Sequence, residues 1–375
     1  MNRLRFVPPA LAAALLAVLA FRLTPRSGAA LDARLDALFA DVFRAGEPGA
    51  EVLVRVHGAT RFRRVYGQLA PGAVTRGGSL TKPMVAVVAA SLAAEHKLAF
   101  DDPISKVLSQ AGDAGAATLE DLLGMSSGLA LYDPRGADRS DVTLGGLLVK
   151  VLAAPPTFAP GTKFEFNDAN YLVAGSIVTA AGGAPLGELL RARVFAPAGM
   201  TRSALDGDAP PGHDLDENGA YVVAPAPRLP GYAAEGLVTT ADDLAAFAEA
   251  FVAGKLVSAE WVRRLTAPRN PPYALGWRAT RTRWRRVLDH PGDFGGDSSA
   301  LTILPDDGVV AIVLANRFQP RPRPDDLALD AALLTVGAPV LTTLDFLLCA
   351  LTFVALLATL VTGGTRAGRS ERRTR

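Results

Sequence analysis

The hydrophobic pattern separates two apolar ends from a long mixed region. Residues 6–21 carry no charge and follow Arg3 and Arg5, and residues 346–361 are uncharged and almost wholly apolar. Because a bilayer core takes about 20 apolar residues, the second segment is expected to include part of the apolar run at 336–344. Arginines flank both segments on their terminal sides, which predicts cytoplasmic termini and an exported middle.

This pattern predicts four parts in the chain. They are a signal peptide or N-terminal membrane anchor (1–28), one globular domain (31–325), a C-terminal transmembrane helix (338–363) and a basic cytoplasmic tail (364–375). The predicted location is therefore the cell membrane, with the globular domain on the extracytoplasmic side.

Strand patterns occur at both ends of the globular region, and helix patterns lie between them. Valine-rich or alternating segments predict strands at 51–57, 61–66, 277–286, 299–304 and 309–316. Apolar periodicity and capping residues predict helices at 31–43, 79–94, 118–123, 170–181 and 240–252. This order predicts an α+β fold: an antiparallel sheet built from both ends of the domain, flanked by helices, with a helical subdomain.

The composition narrows the classes of partner and chemistry. The 375 residues include 39 basic and 37 acidic side chains, and this near-zero net charge argues against a nucleic-acid partner. Cys349 is the sole cysteine, so no intrachain disulfide can form, and no two of the four histidines have metal-ligand spacing. Asp214 to Asn218 begin like a calcium loop, but the twelfth position is Pro225 rather than glutamate. We therefore predict a hairpin turn there, and neither a metal nor a cofactor in the protein.

Candidate chemistry lies at the start of the most apolar helix. Pro83 is tolerated only in a first helical turn, which places the helix start close to Ser79. Ser79 and Lys82 then share one face, with about 5–6 Å between their Cβ atoms. Residues 84–94 carry no charge, so the helix is expected to run through a core. Loss of hydration and the positive end of the helix dipole both favour a neutral lysine amine, which can take the serine proton and make a nucleophile.

The Ser-x-x-Lys spacing has a second interpretation. Ser79 can cap the helix while Lys82 extends to water. The four-residue motif alone does not decide between the two.

The order of further segments extends the pattern beyond this motif. Seven segments resemble, in this order, the landmarks of the serine β-lactamase and penicillin-binding-protein superfamily: Ser79–Lys82, Leu98–Pro103, Leu122–Leu129, Pro160–Phe164, Glu235–Leu244, Leu275–Trp277 and His290–Gly292. Within the superfamily, the chain resembles the class C β-lactamase-related esterase branch from about residue 35 to 316. The resemblance implies a β-lactamase/transpeptidase-like fold, with Ser79 as nucleophile and Lys82 as its base.

The second motif of that superfamily, Tyr-x-Asn, is altered in this chain. Phe166 stands in the tyrosine position and lacks the hydroxyl that the family uses to carry protons to the leaving group. Asp168 stands in the asparagine position, where the resemblance implies contact with the substrate, and its charge is expected to keep Lys82 protonated. Three alternatives remain: Asp168 carries the proton, Lys82 serves both steps, or the site is degenerate and binds without turnover.

The third motif is matched by His290-Pro291-Gly292. The resemblance implies that His290 donates toward a carboxylate or carbonyl of the substrate. It also implies an oxyanion hole made by the backbone N–H groups of Ser79 and of Asp293, the residue after Gly292. The alternative is that His290 is an ordinary strand residue.

Two further expectations concern the surroundings of this strand. Pro291 has no N–H, which favours a position at a sheet edge. Asp293 and Asp297 place two acids near the expected cleft, which makes an anionic substrate less favourable.

These observations support two hypotheses from different classes. The first is a membrane-tethered extracytoplasmic serine hydrolase that forms an acyl-enzyme with an ester or amide: a peptidoglycan peptide, a β-lactam or a small ester. The second is a catalytically degenerate family member that acts as a cell-envelope binding protein. The expected partners are thus a small molecule or peptidoglycan peptide and the membrane, with no nucleic acid.

Overall fold

A computed structural model of the chain describes residues 28–131, 143–225, 232–269, 272–282 and 284–337. The chain divides into two compact units, 1–34 with 333–375, and 35–332. Of the first unit, the structure describes 28–34 and 333–337, which belong to the first and last described helices. The second unit contains the sheets and the other helices.

The predicted terminal membrane segments, 1–28 and 338–363, and the tail at 364–375 lie outside the described residues, apart from Gly28. Among the residues that are described, no single helix has the length and apolar composition to cross a membrane. One helix pair bent by 76° passes the same test by length and composition alone: Ala169–Gly182 with Leu186–Ala198.

Eleven strands are present in the described part of the chain. They are β1 (Ala50–Val56), β2 (Ala59–Tyr66), β3 (Thr75–Gly78), β4 (Ala204–Leu205), β5 (His213–Leu215), β6 (Tyr221–Val223), β7 (Leu237–Thr239), β8 (Arg278–Thr282), β9 (Arg285–Phe294), β10 (Asp297–Leu304) and β11 (Val309–Ala315). The main sheet has six strands in the order β2-β1-β11-β10-β9-β8, and every pair in it is antiparallel. The first strand pairs with the last, Ala50 opposite Ala315. This confirms the prediction of an antiparallel sheet built from both ends of the domain.

The segment predicted as one strand at 277–286 is a hairpin instead. Thr282 pairs with Arg285, and Trp284 has a φ of 73° in the turn between them. Its side chain is 92% exposed. Alternating arginines continue through the turn, and no glycine, proline or asparagine marks it. The sequence pattern therefore did not predict a turn at this position. Trp277, before β8, is buried and stacks on Phe251.

Ten α-helical segments and two short 3-10 helices, Ile104–Lys106 and Gly112–Ala116, accompany the strands in the described ranges; the α-helical segments are labelled α1 to α10. They are α1 (Ala29–Ala40), α2 (Thr81–Ala94), α3 (Leu119–Leu123), α4 (Leu144–Ala153), α5 (Ala169–Gly182), α6 (Leu186–Ala198), α7 (Tyr232–Glu235), α8 (Ala241–Val252), α9 (Ala259–Thr266) and α10 (Pro324–Thr335). Helix α2 is buried almost all round and packs against α5 and α7. Helix α8 packs on β1 and β11 and is capped by Thr240, whose Oγ1 accepts from the N–H of Asp243 at 3.3 Å. The α+β architecture with helices around the sheet is therefore confirmed.

Two smaller sheets complete the topology. Strands β3, β7 and β4 form one, in the order β3-β7-β4, and it carries the residues that lead into α2. Strands β5 and β6 form a hairpin. Asp216 closes its turn, because one carboxylate oxygen accepts from the N–H groups of Asn218 at 2.9 Å and Ala220 at 2.8 Å. The calcium-like sequence thus forms the hairpin turn that we predicted.

Candidate active site

Ser79 lies in the short connection between β3 and α2. The backbone turns through Gly78 at a φ of +52°, and a Cβ atom built there would meet the backbone nitrogen of Asp293 at 2.8 Å. Glycine is therefore required twice over, for its backbone conformation and for the close approach of β9. The helix cap is Leu80, and no side chain caps the first turn. The interpretation of Ser79 as a capping residue is wrong.

Lys82 is fully buried in the first turn of α2, so it does not extend to water. Its Nζ donates to Ser79 Oγ at 2.6 Å and to the backbone carbonyl of Ala234 at 2.9 Å. The Tyr171 ring lies 5.6 Å from the same nitrogen, measured to its centroid. The amine and the hydroxyl predicted from the Ser-x-x-Lys spacing are therefore in direct contact, and Ser79 retains 8% exposure.

Asp168 and Phe166 flank this amine from the segment before α5. Asp168 Oδ1 lies 2.8 Å from Lys82 Nζ, and the aspartate side chain is 20% exposed. The Phe166 ring centroid lies 5.3 Å from Nζ, and the ring is 48% exposed. The altered second motif thus places a carboxylate and an aromatic face beside the lysine, where the resemblance implies an amide and a phenol hydroxyl.

His290 has a different environment from the one expected. Its side chain is 1% exposed. Nδ1 donates to the carbonyl of Pro291 at 2.6 Å, so in the neutral ring Nε2 accepts from the Tyr273 hydroxyl at 2.9 Å. Burial, and after it the positive charge of Lys82, lower the pKa of His290 to about 3. The expectation that His290 donates to a substrate is corrected, because both ring nitrogens already have protein partners and the ring is covered.

The position of Pro291 agrees in part with an edge strand. Strand β9 lies between β10 and β8, but β8 pairs only as far as Asp289. The second half of β9 therefore has β10 on one side and approaches β3 on the other, where the hydroxyl of Ser299 on β10 donates to Gly77 O at 2.8 Å.

The direction of the Asp293 N–H follows from the β9–β10 turn. Gly295 and Gly296, both at positive φ, form a two-residue turn between the paired residues Phe294 and Asp297. Residues flanking such a turn exchange hydrogen bonds, so the next pair, Asp293 opposite Ser298, points its N–H groups away from the partner strand. The Asp293 N–H is thereby directed toward β3 and the start of α2, as a donor to an oxyanion at Ser79 would require.

The carboxylate of Asp293 does not stand free beside the cleft. Oδ1 accepts from Ser298 Oγ at 2.6 Å, and Oδ2 accepts from Arg323 Nη2 at 2.8 Å. Asp297 is 1% exposed, and its Oδ2 accepts from the backbone N–H of Arg76 at 3.0 Å. The expectation that these two acids disfavour an anionic substrate is therefore revised, because one is ion-paired and the other is buried away from the cleft.

Four residues of the site were not identified from the sequence as site residues. Thr81 Oγ1 donates to Gly78 O at 2.7 Å and accepts from Leu237 N at 2.9 Å, which joins α2 to β7. Ala234 supplies the carbonyl for Lys82. Tyr171 and Tyr273 form a buried pair beneath the lysine, and burial raises the pKa of both hydroxyls far above 10. Ala234 and Tyr273 lie close to two segments that carry the family resemblance, Glu235–Leu244 and Leu275–Trp277. That proximity is the feature of the sequence that could have indicated them as site residues.

The family model described as Beta-lactamase matches residues 31–335 of the chain. The chain belongs to the Beta-lactamase family. Esterase EstB from Burkholderia gladioli is 32% identical over 200 residues, which cover 46% of this chain and 51% of the esterase. D-aminopeptidase from Brucella anthropi is 26% identical over 235 residues, which cover 58% of this chain and 45% of that enzyme. The chain thus spans about half the length of these two curated relatives.

Solved structures agree on the fold of this Beta-lactamase family member. A D-stereospecific amidohydrolase from Streptomyces sp. superposes with a TM-score of 0.70 at 22% identity, covering 80% of this chain and 98% of that one. The superfamily resemblance seen in the sequence is confirmed. The roles expected of Ser79, Lys82, Asp168, Gly292 and Asp293 stay predictions.

Proposed function

We propose that the chain is a serine hydrolase that cleaves ester or amide bonds through an acyl-enzyme on Ser79. The observation that carries this proposal is the contact of 2.6 Å between Lys82 Nζ and Ser79 Oγ, with the amine fully buried. A serine hydroxyl in such contact with a buried amine has a proton acceptor within reach once that amine is neutral. Membership of the Beta-lactamase family supports the same chemistry.

The reaction would proceed in two steps. Ser79 Oγ attacks the carbonyl carbon, and its proton passes to Lys82 Nζ. The N–H groups of Ser79 and Asp293 stabilise the oxyanion, since the second is directed to that side of β9. Departure of the leaving group gives the acyl-enzyme, and attack by water releases the acid.

The substrate class is inferred from the cleft and the relatives. The proteins similar to this chain include an esterase, a D-aminopeptidase and a D-stereospecific amidohydrolase. The exposed face of Phe166 beside Lys82 offers an apolar surface to an acyl or side-chain group. We therefore favour short peptide amides, including D-residue peptides such as those of peptidoglycan, and small esters over β-lactams.

We further propose that the domain works outside the cytoplasm, tethered by the terminal apolar segments. The arginines on the terminal sides of both segments support this orientation. Proteinase added to spheroplasts should degrade the domain and leave an epitope fused after Arg375 protected. Protection of the domain in intact spheroplasts would contradict the orientation.

The experiment that tests the hydrolase is labelling by a fluorophosphonate, which phosphonylates activated serines. Wild type should be labelled and Ser79→Ala should not. Ser91→Ala is the matched control, because Ser91 lies on the same helix and its hydroxyl accepts from Arg193 at 2.6 Å. Labelling of Ser79→Ala at the wild-type rate would exclude Ser79 as the nucleophile.

A second candidate function is a cell-envelope binding protein without turnover. It is favoured by the absence of a hydroxyl at Phe166 and by the pairing of Lys82 with Asp168 at 2.8 Å. Its prediction is that neither wild type nor Ser79→Ala is labelled, while a peptidoglycan stem peptide binds both equally in calorimetry. Labelling confined to proteins with Ser79 would exclude it.

A further inference from the structure

The amine of Lys82 is arranged as an ammonium. An ammonium has three N–H donors and no lone pair. Its Nζ lies 2.6 Å from Ser79 Oγ, 2.9 Å from Ala234 O and 2.8 Å from Asp168 Oδ1. The contact between Nζ and the Asp168 carboxylate is an ion pair, so the resting nitrogen is an ammonium. Lys82 must therefore lose one proton before it can accept the proton of Ser79.

Asp168 is the group placed to take that proton. The peptide carbonyl of Ala234 accepts a hydrogen bond but is too weak a base to take a proton. Ser79 is the group that must itself be deprotonated. Oδ1 of Asp168 lies 2.8 Å from Nζ and is buried, whereas the side chain as a whole is 20% exposed. At this distance the proton can pass directly from Nζ to the carboxylate, with no atom between them.

Other side chains beside the lysine cannot serve in this role. Phe166 presents an aromatic face at 5.3 Å, which stabilises a cation but transfers no proton. The Tyr171 hydroxyl donates to Leu123 O at 3.0 Å, and the Tyr273 hydroxyl bonds to the neutral ring of His290. Both phenols are buried, so among the residues that the structure describes around Nζ, Asp168 alone combines a titratable carboxylate with a partly exposed side chain.

We propose that Asp168 is the proton carrier of this site, a role that rests on the proposed hydrolase function. Transfer of one proton from Nζ to Oδ1 makes two catalysts at once: a neutral amine beside Ser79 and a carboxylic acid beside the cleft. In acylation, the Ser79 oxygen bonds to the carbonyl carbon and its proton moves to Nζ. The bond to the leaving group then breaks as Asp168 protonates the leaving atom, which restores the ion pair.

In deacylation the two groups exchange roles: Asp168 accepts a proton and Lys82 donates one. Water bonds to the acyl carbon and gives its proton to the Asp168 carboxylate. The ester bond to Ser79 breaks, and the serine oxygen takes a proton from Lys82. Transfer of the proton on Asp168 back to the amine regenerates the resting ammonium and carboxylate. No proton is gained or lost apart from that of the released acid.

The test separates proton donation from nucleophile activation by the choice of leaving group. A 4-nitrophenyl ester releases a phenolate that needs no proton, whereas an anilide or an alkyl ester of the same acid needs one. Asp168→Asn should lower kcat/KM for the anilide and the alkyl ester by about 10²–10⁴, and for the nitrophenyl ester by less than about tenfold. Activation of Ser79 is retained in this variant, because asparagine carries no negative charge for Lys82 to pair with and the amine then needs no proton transfer to residue 168 before it acts as the base. The variant should fold, because Asp168 precedes α5 without capping it through its side chain.

A second variant tests rescue by the group that the superfamily uses. Phe166→Tyr in the Asp168→Asn background puts a hydroxyl on the ring that already lies beside Nζ, and should restore much of the anilide rate. Equal losses on all three substrates, no loss on any, or no rescue by the double variant would each overturn the assignment of Asp168. If Asp168→Asn fails to fold, Asp168→Ala goes through the same comparison without an added amide.

Failure of this proposal is distinguishable from failure of the hydrolase itself. A fluorophosphonate expels fluoride, which needs no protonation by the enzyme. The wild type and the Asp168 variants should therefore all be labelled at Ser79. Labelling without the leaving-group effect rejects the proton carrier and keeps the hydrolase, whereas absence of labelling in the wild type rejects the hydrolase.

Discussion

Replacing Asp297 by asparagine is expected to stabilise the protein at pH 8 and to do so much less at pH 5. The aspartate is almost fully buried, and one carboxylate oxygen, Oδ1, has no hydrogen-bond partner. The other oxygen accepts from the N–H and Nη1 of Arg76 at 3.0 and 3.4 Å. Burial outweighs these contacts and raises the pKa of Asp297 to about 7.

The sign and the size of the effect follow from linkage. A pKa raised in the folded state means that the fold binds the proton more tightly than the unfolded chain. The resulting stability is complete below the ordinary pKa of 3.8 and is lost as the pH rises through about 7. At about 1.4 kcal/mol for each pH unit between 3.8 and about 7, the titration of Asp297 lowers the free energy of unfolding, relative to acid pH, by about 2 kcal/mol at pH 5 and about 4–5 kcal/mol at pH 8.

Thermal unfolding of the wild type and Asp297→Asn at both pH values measures this difference. Asparagine keeps the shape and one acceptor, so its advantage over aspartate should grow by about 3 kcal/mol from pH 5 to pH 8. Asp306→Asn is the control: Arg286 lowers the pKa of Asp306, so its contribution does not change in this range. An advantage of Asp297→Asn that is the same at both pH values would refute the reasoning.

Three further changes test the candidate site. Lys82→Ala should reduce the rate of fluorophosphonate labelling by about 10²–10⁴, because Ser79 loses its proton acceptor. Phe166→Tyr should raise the hydrolysis rate of amides, because it adds a hydroxyl on a ring centred 5.3 Å from Nζ. Arg323→Ala should lower kcat by about tenfold and change KM less. The reason is that the Asp293 carboxylate loses its ion pair, so the backbone N–H of Asp293 is less precisely positioned.

Each of these three predictions has an outcome that would contradict it. The control for Lys82 is Lys163→Ala, an exposed lysine paired with Glu165, and equal labelling of the two variants would remove Lys82 from the mechanism. Absence of a gain, or a loss of rate, in Phe166→Tyr would count against the alignment of Phe166 with the tyrosine position of the superfamily. A change in KM alone for Arg323→Ala would assign Arg323 to substrate binding rather than to positioning of Asp293.

The parts of the site that depend on local spacing could be predicted from the sequence. Ser79 and Lys82 are three residues apart on a helix whose start is fixed by Pro83, and a helix turn brings such side chains together whatever surrounds them. The sheet was predicted for a similar reason. Alternating and valine-rich segments occur at both ends of the domain, such as 51–57 and 309–316. Strands at both ends with helices between them indicate one sheet in which the first and last strands pair.

The parts that depend on distant contacts could not be predicted in this way. Strand periodicity gives the face on which His290 lies, but not that Tyr273 covers it. Nothing in the sequence indicated that Asp297 is buried against Arg76, 221 residues earlier. These features depend on which side chain fills a given space after the chain has folded, and a one-dimensional pattern does not contain that information.

The departure from the superfamily pattern and the burial of Lys82 have to be considered together. In a cleft open to water, an aspartate beside the lysine would hold the amine as a solvated ion pair, and the site would favour binding over turnover. In the structure the amine is fully buried and touches both Ser79 and the Asp168 carboxylate, whose side chain is 20% exposed. The same substitution that removes an amide therefore supplies a titratable acid in direct contact with the amine. The loss of the phenol at Phe166 and the gain of the carboxylate at Asp168 are thus consistent with one exchange of proton carriers.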